Sequence, residues 1–278
     1  MVPHPQVIPG GGSHVSVVRD TIGLMCGRYA STKDPATLAA EFDAVDGTEG
    51  EAPGADYNVA PTDPVLAVVQ RHPRDADGTP DPKTTVRSIR VMRWGLVPGW
   101  SKDLSGGAKM INARYESVAT KPAFKKSLAT KRCLVPADGW FEWLREGKAK
   151  QPYFMTRRDG LSIAMAGLWA VWRASDGPPV LSCTVLTTES VGPLAHIHDR
   201  MPMLVPPDHW ARWLDPDTAD VTDLLVRTPD PVLDALEVRP VSSKVNSVKN
   251  DGPELLEEVQ PGGDEVALFD LDEVRNPG

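Results

Sequence analysis

Cys26 stands between Met25 and Gly27-Arg28-Tyr29. If the chain began at Cys26, that residue would carry a free amine and a thiol two carbons apart. A 1,2-aminothiol has a distinct reactivity towards aldehydes: the amine condenses to an imine, and the sulfur closes on it to form a five-membered thiazolidine. An α-amino group titrates at about 7.7–8.0, so part of it is neutral and nucleophilic at pH 7, whereas a lysine at about 10.4 needs strong desolvation to match it. The alternative is a small core cysteine. Cys133 and Cys183 lie in apolar, strand-like runs and are assigned to the core.

Glu142 is the second candidate, in Gly139-Trp140-Phe141-Glu142-Trp143. A carboxyl among three aromatics is partly desolvated, which raises its pKa and suits it to shuttling protons in imine formation and sugar ring opening. An exposed strand position alternating with buried aromatics would look the same in sequence. His198, in Ile197-His198-Asp199-Arg200-Met201-Pro202, can act as acid or base near neutrality, and Arg200 can hold a phosphate. A structural histidine fits equally well. In Asn112-Ala113-Arg114-Tyr115-Glu116 the Asn amide can orient an amine, Glu116 can accept from it and the Arg can clamp a phosphate, or Asn112 can cap a helix. Trp94 and Trp100 can stack on unpaired bases or fill the core.

These residues need a scaffold, and its pattern is β-rich. Short runs of β-branched and aromatic residues, bounded by Gly, Pro and Asp, predict strands over 64–70, 86–94, 132–136, 141–144, 153–156, 162–167 and 181–187. Helices are expected over 35–42, with Asp34 as N-cap, and over 116–119, 123–127, 207–213 and 220–225. Strands and helices do not alternate regularly. The expected class is therefore α+β, a mixed sheet or barrel-like fold with peripheral helices, rather than a doubly wound one. Residues 72–83 read as a polar surface loop. Three units are expected: an unstructured extension over 1–24, one domain over 25–259 and a mobile acidic tail over 260–278.

Composition narrows the classes. The 278 residues are 41% hydrophobic and 24% charged, enough for a real core. No apolar run approaches the length that spans a bilayer, and no signal peptide is read, so no membrane partner is expected. Three cysteines without a CxxC favour neither a disulfide framework nor a zinc site, and a reducing, cytoplasmic compartment is expected. No metal or cofactor is expected. The net charge is −8, yet residues 86–158 hold 16 Lys/Arg against 5 Asp/Glu. A basic middle in an acidic chain predicts a local polyanion site, unless folding scatters it.

The order of the motifs is more specific than any one of them. Met-Cys-Gly-Arg-Tyr at 25–29 is followed by Tyr-Asn-Val-Ala-Pro-Thr at 57–62 and Arg-Trp-Gly-Leu-Val-Pro-Gly-Trp at 93–100. Then come the Asn112, Glu142 and His198 blocks and Val-Asn-Ser-Val-Lys-Asn-Asp-Gly-Pro-Glu-Leu at 245–255. From Met25 to about Val259 this series resembles the SRAP (SOS response-associated peptidase) family of abasic-site processing proteins. The resemblance implies a β-rich fold with a groove for single-stranded DNA and a covalent link between amino-terminal Cys26 and the aldehyde of an abasic site. It implies that Glu142 shuttles protons for ring opening, that His198 handles the sugar and helps reversal, and that Asn112 positions the amine. Arg28, Arg114 and Arg200 resemble phosphate contacts. Trp94 and Pro61 resemble residues packed against bases, with Asn58 nearby. A nucleoid-associated monomer with possible lyase and self-processing peptidase activity is the corresponding expectation.

One departure has consequences. Family members usually begin Met-Cys, but here 24 residues precede Met25. Either translation starts at Met25 or the extension is cut away; an intact extension leaves Cys26 with an amide nitrogen that forms no thiazolidine. A cysteine peptidase or amidase using Cys26 and His198 is the competing reading, since an internal cysteine suffices for it. A noncovalent single-strand binder is the third. Near the end, Glu265-Val266-Ala267-Leu268-Phe269 loosely resembles peptides that dock on bacterial sliding clamps, with Leu268 and Phe269 as anchors.

Overall fold

The computed structural model describes residues 26–147 and 149–260. The 1–24 extension and the clamp-like residues Leu268 and Phe269 lie outside the described residues. Among the described residues the first half of the chain forms β1 (Tyr29–Ser31), α1 (Pro35–Phe42), β2 (Val45–Asp46), β3 (Asp56–Val59), β4 (Pro64–Arg71), β5 (Val86–Trp94), β6 (Asn112–Arg114), α2 (Tyr115–Val118) and α3 (Pro122–Thr130). The second half forms β7 (Arg132–Ala137), β8 (Gly139–Glu146), β9 (Ala149–Arg157), β10 (Ile163–Trp172), β11 (Val180–Glu189), α4 (Leu194–Ile197), β12 (Arg200–Pro202), α5 (Pro207–Leu214), α6 (Asp230–Asp234) and β13 (Leu236–Pro240).

The strands build two sheets, so the α+β expectation holds. The smaller has the order β13-β9-β8-β1-β3. The larger runs β12-β11-β10-β7-β4-β5-β2, with β6 on β11, and a short parallel pairing of β5 with β11 makes it partly ring-like. Local chemistry explains the clearest elements. The Asp34 carboxylate accepts from Ala36 N and Thr37 N and caps α1, which Pro35 opens. β4 and β7 are continuous apolar runs because both faces are covered.

Two buried layers result. Tyr29, Trp94, Trp140, Trp169, Cys133 and Cys183 pack inside the curved large sheet, with the Tyr29 ring edge-on to Trp94 at 5.1 Å. Leu38, Phe42, Phe124, Leu128 and Trp213 pack α1, α3 and α5 on its outer face. A small third cluster, with Phe141 and Phe154 at its centre, holds the 241–256 segment against β8 and β9.

The small sheet depends on one close approach. A Cβ on Gly139 would lie 2.3 Å from the Met155 carbonyl oxygen and 2.4 Å from the Phe154 ring. Gly139→Ala should therefore cost about 1–3 kcal/mol through overpacking, read as a lower urea midpoint at unchanged slope; an unchanged midpoint would show that β8 and β9 separate freely.

The expected helix over 220–225 is a single 3-10 turn, Thr222–Leu224, held by backbone bonds from Leu224 N and Leu225 N to Val221 O and Thr222 O. β3 and β13 carry polar residues at half-buried edge positions, so no apolar alternation marked them. Part of the basic middle is taken up by the protein itself. Arg132 is buried, donating to the Trp213, Leu128 and Ala129 carbonyls, and Arg157 pairs with Asp159. Arg158 donates to Asp234 O.

Candidate active site at Cys26

The two sheets meet at Cys26. β1 pairs with β8 through Tyr29 opposite Trp140, and Phe141 N donates to Arg28 O, which lays the start of the described chain beside Glu142. From the other sheet, β11 carries β6 on one stretch, with Asn112 opposite Val185, and β12 further along, with Arg200 opposite Glu189. One strand thus delivers both Asn112 and the His198–Arg200 segment to the seam.

Glu142 is 3% exposed. Residues two apart on a strand share a face, so Glu142 points inward with Trp140 rather than out to solvent. Burial pushes its carboxyl up to about 8, which more than offsets the hydrogen bonds it accepts from Cys26. Its Oε1 lies 2.9 Å from the Cys26 backbone nitrogen, which donates to it. The Cys26 thiol is buried, lies 3.8 Å from the Arg200 carbonyl oxygen and is pushed well up by burial and by Glu142. Asn112 Nδ2 donates to the Cys26 carbonyl at 3.3 Å. Cys26 itself has φ +44°, a left-handed conformation uncommon outside glycine.

His198 reaches the same point through a shared group. Its Nδ1 lies 3.2 Å from the Arg200 carbonyl oxygen that faces the thiol, 3.1 Å from Arg200 N–H and 3.1 Å from Asp199 Oδ1. Four of the expected residues, Cys26, Asn112, Glu142 and His198, therefore converge.

The expected DNA contacts divide. Arg114 is exposed, and no ion pair or hydrogen bond engages its guanidinium among the described residues. Pro61 is half-buried in a turn whose next residue, Thr62, has φ +84°. Arg28 is half-buried and donates to Asn58 Oδ1 and Val245 O. Asn58 is buried, its amide donating to Val245, Ser247 and Asn250 carbonyls, so it anchors the 245–250 loop rather than facing a groove. Two placements differ from expectation. Trp94 is 1% exposed with its Nε1 donating to Ile111 O, so its ring belongs to the core; Trp100, 71% exposed, offers the free ring instead. The Arg200 guanidinium is buried against Glu116, at 2.5 and 3.0 Å, and Thr187 O at 2.6 Å, which leaves it occupied by the protein.

Sequence alone reads Glu116 only as an acceptor for an amine and does not single out Thr187, because their role here depends on α2 and β11 meeting Arg200. Breaking one side of that pair leaves a buried charge half-served. Glu116→Ala should cost about 1–3 kcal/mol, below the usual 3–5 for a fully buried pair because Glu116 is partly exposed. Urea unfolding reads it, and a loss under about 0.5 kcal/mol, as for an exposed pair, would contradict the placement.

A mixed fold that brings a buried thiol, a carboxyl pushed up to about 8 and a histidine to a sheet seam defines a protein with a candidate acid–base and nucleophile site. Comparison with known proteins gives the family. The model of the SOS response associated peptidase (SRAP) family matches residues 25–248, and the chain belongs to that family. It is 37% identical over 243 residues to the abasic site processing protein YoqW of Bacillus subtilis, covering 84% of this chain and 99% of that one. It is 32% identical to the abasic site processing protein YedK of Escherichia coli, covering 84% and 100%. The Xenopus tropicalis abasic site processing protein HMCES is 33% identical, covering 72% of this chain and 65% of its own. Among solved structures, a Bacteroides thetaiotaomicron protein superposes with a TM-score of 0.70 at 22% identity, covering 84% and 100%, and shows the fold.

Proposed function

We propose that this chain captures the open-chain aldehyde of an abasic site in single-stranded DNA through the amine and thiol of Cys26, once the residues before it are gone. The observation that carries the reading is the 2.9 Å contact between the Cys26 nitrogen and the buried Glu142 carboxyl, whose pKa is pushed up to about 8. The names of the relatives supply the substrate class.

The steps balance without an oxidant. The neutral amine adds to the aldehyde carbon and gives a carbinolamine. Glu142, carrying its proton, protonates the hydroxyl, which leaves as water, and an iminium remains beside a carboxylate. The Cys26 thiol, held protonated by burial, passes its proton to that carboxylate, and Sγ bonds to the iminium carbon while the electron pair moves to nitrogen. A carboxyl near neutrality serves both transfers, whereas one at its ordinary value stays ionised and lacks the first proton. Asn112 holds Cys26 in place through its carbonyl. His198, anchored by the Arg200 backbone, exchanges protons with the sugar hydroxyl and with the adduct on reversal. Arg114, and Arg28 to a lesser degree, meet phosphates, and Pro61 packs beside the lesion. One chain supplies all of these groups, so the reading needs only a monomer.

A second activity, self-processing, is favoured by the same contact. Attack of Sγ on the Met25 carbonyl carbon would transfer the acyl group from nitrogen to sulfur, with Glu142 donating its proton to the leaving nitrogen and taking the thiol's proton in its place. Water would then hydrolyse the thioester and free the Cys26 amine and thiol. The left-handed backbone at Cys26 costs roughly 1–2 kcal/mol and is relieved on cleavage.

Intact mass spectrometry tests the capture. Protein beginning at Cys26, mixed with an oligonucleotide carrying one abasic site, should gain the mass of the oligonucleotide less one water. Capping the aldehyde beforehand with methoxyamine should abolish the product. An adduct of equal yield on the capped strand would overturn the reading.

A further inference from the structure

A cavity of about 600 Å³ opens at the far end of the large sheet from Cys26. It lies over the start of β11 at Leu181, whereas the Cys26 site uses Arg200, bonded to Thr187. The strand between Leu181 and Thr187 spans about 20 Å at 3.3 Å per residue. Arg71, Arg74, Lys131 and Arg173 line the cavity, and no Asp or Glu does. Trp169 forms its floor, with the Arg71 guanidinium 5.1 Å and the Lys131 ammonium 5.2 Å from the ring centroid. Among the described residues no carboxylate pairs with Arg71, Lys131 or Arg173; the nearby Asp217 is taken by His72 at 3.0 Å.

Such a cluster is unusual in a chain of net charge −8. The other large cavity, about 510 Å³, shows the ordinary arrangement. There Arg227 pairs with Asp230 at 2.9 Å, Arg158 donates to Asp234 O, and Asp230, Asp234 and Glu237 line the wall. In the cavity over Trp169 the cations repel each other instead. Burial first, then Arg90 and Arg74, hold Arg71 below its usual pKa, and burial with Lys126 and Arg71 does the same to Lys131. Uncompensated cations held together against an aromatic floor gain most from an anion that bridges them.

We propose that this cavity is a second nucleic-acid contact, which takes the phosphodiester backbone of a strand at a distance from Cys26. Arginine forks match phosphate oxygens two at a time, and three separate cations suit successive phosphates better than one ion. Pro80, Pro179, Pro216 and Leu181 on the rim give bases and sugars an apolar surface beside the charges. The net charge of −8 disfavours a polyanion on the chain as a whole, so approach is directed to patches of concentrated positive charge. The inference rests on the reading of this chain as a DNA-binding protein but not on covalent capture at Cys26.

The test is fluorescence anisotropy of the full chain with an undamaged oligo-dT strand, titrated with salt. Such a strand carries no aldehyde, so the outcome is separate from capture at Cys26. The triple variant Arg71→Gln, Lys131→Gln, Arg173→Gln keeps much of each side-chain stem. It should bind at least about tenfold more weakly, with the slope of log K against log salt reduced by about 2, as expected for three lost phosphate contacts on a single strand. Arg173→Glu alone, at an exposed position, should weaken binding about threefold or more while the melting temperature stays put. Inorganic phosphate and polyglutamate serve as competitors. Weak displacement by either supports the proposal. Unchanged affinity and slope in both variants overturns it, as does full saturation by phosphate alone, or variant-sensitive binding of polyglutamate without variant-sensitive binding of the strand.

Discussion

Glu142→Gln in protein that begins at Cys26 is expected to slow formation of the denaturant-stable adduct by about 100-fold or more, the usual weight of a positioned general acid–base. Glutamine matches the shape of the carboxyl but neither donates the proton that expels water nor takes the one from the thiol. The same substitution should change stability in the opposite direction. In the full chain the folded carboxyl titrates at about 8 against an ordinary 4.5. The folded state therefore holds a proton that the unfolded state has released between those values, and its stability falls as pH rises through that window. At about 1.4 kcal/mol per unit the whole loss is at most about 5 kcal/mol, complete above pH 8. Chemical denaturation of the parent at pH 5 and pH 8 should show this fall, and the Gln variant should show little of it. A parent whose midpoint is flat across that range would mean that Glu142 is ionised throughout.

Cys26→Ser, again as the first residue, separates the two halves of the proposed chemistry. The amine remains and still condenses with the aldehyde, so borohydride should trap a reduced imine. Without reductant the adduct should fall by at least about 100-fold on a denaturing gel, because a hydroxyl closes the ring far less well than a thiol. Equal adduct from Ser and Cys proteins without reductant would remove the sulfur from the mechanism.

Much of this was legible in the sequence, for identifiable reasons. β4, β7, β10 and β11 announce themselves because their burial makes apolar runs, and β5 through β-branched residues interleaved with Arg and Ser. The Asp34 cap and Pro35 mark α1. The convergence of Cys26, Asn112, Glu142 and His198 follows from the order of the motifs, since no single one of them settles its own alternative. What stayed hidden depends on contacts between distant segments. That Glu142 faces inward is a matter of strand phase, which Trp140 and the β1 pairing decide. That Arg200 is consumed by Glu116 and Thr187, and that Asn58 serves the 245–250 loop, requires elements far apart in the chain to meet. Trp94 and Trp100 read alike in sequence, yet one fills the core and the other stands in solvent. Part of the excess of Lys and Arg over 86–158 is taken up inside the protein, as at Arg132, Arg157 and Arg158, while the cluster over Trp169 joins Lys131 to Arg71 and Arg173 from outside that segment.

The most direct test of the account is a side-by-side capture experiment with protein starting at Cys26 and the 278-residue chain, each mixed with a single-stranded oligonucleotide bearing one abasic site. Intact mass spectrometry then reads both the amino terminus and the adduct in every molecule. The adduct is expected on the Cys26-initiated protein and, in the long preparation, only on molecules that have lost residues 1–25. Adduct on chains that still carry the extension, or none on folded Cys26-initiated protein with the abasic site intact, would contradict it.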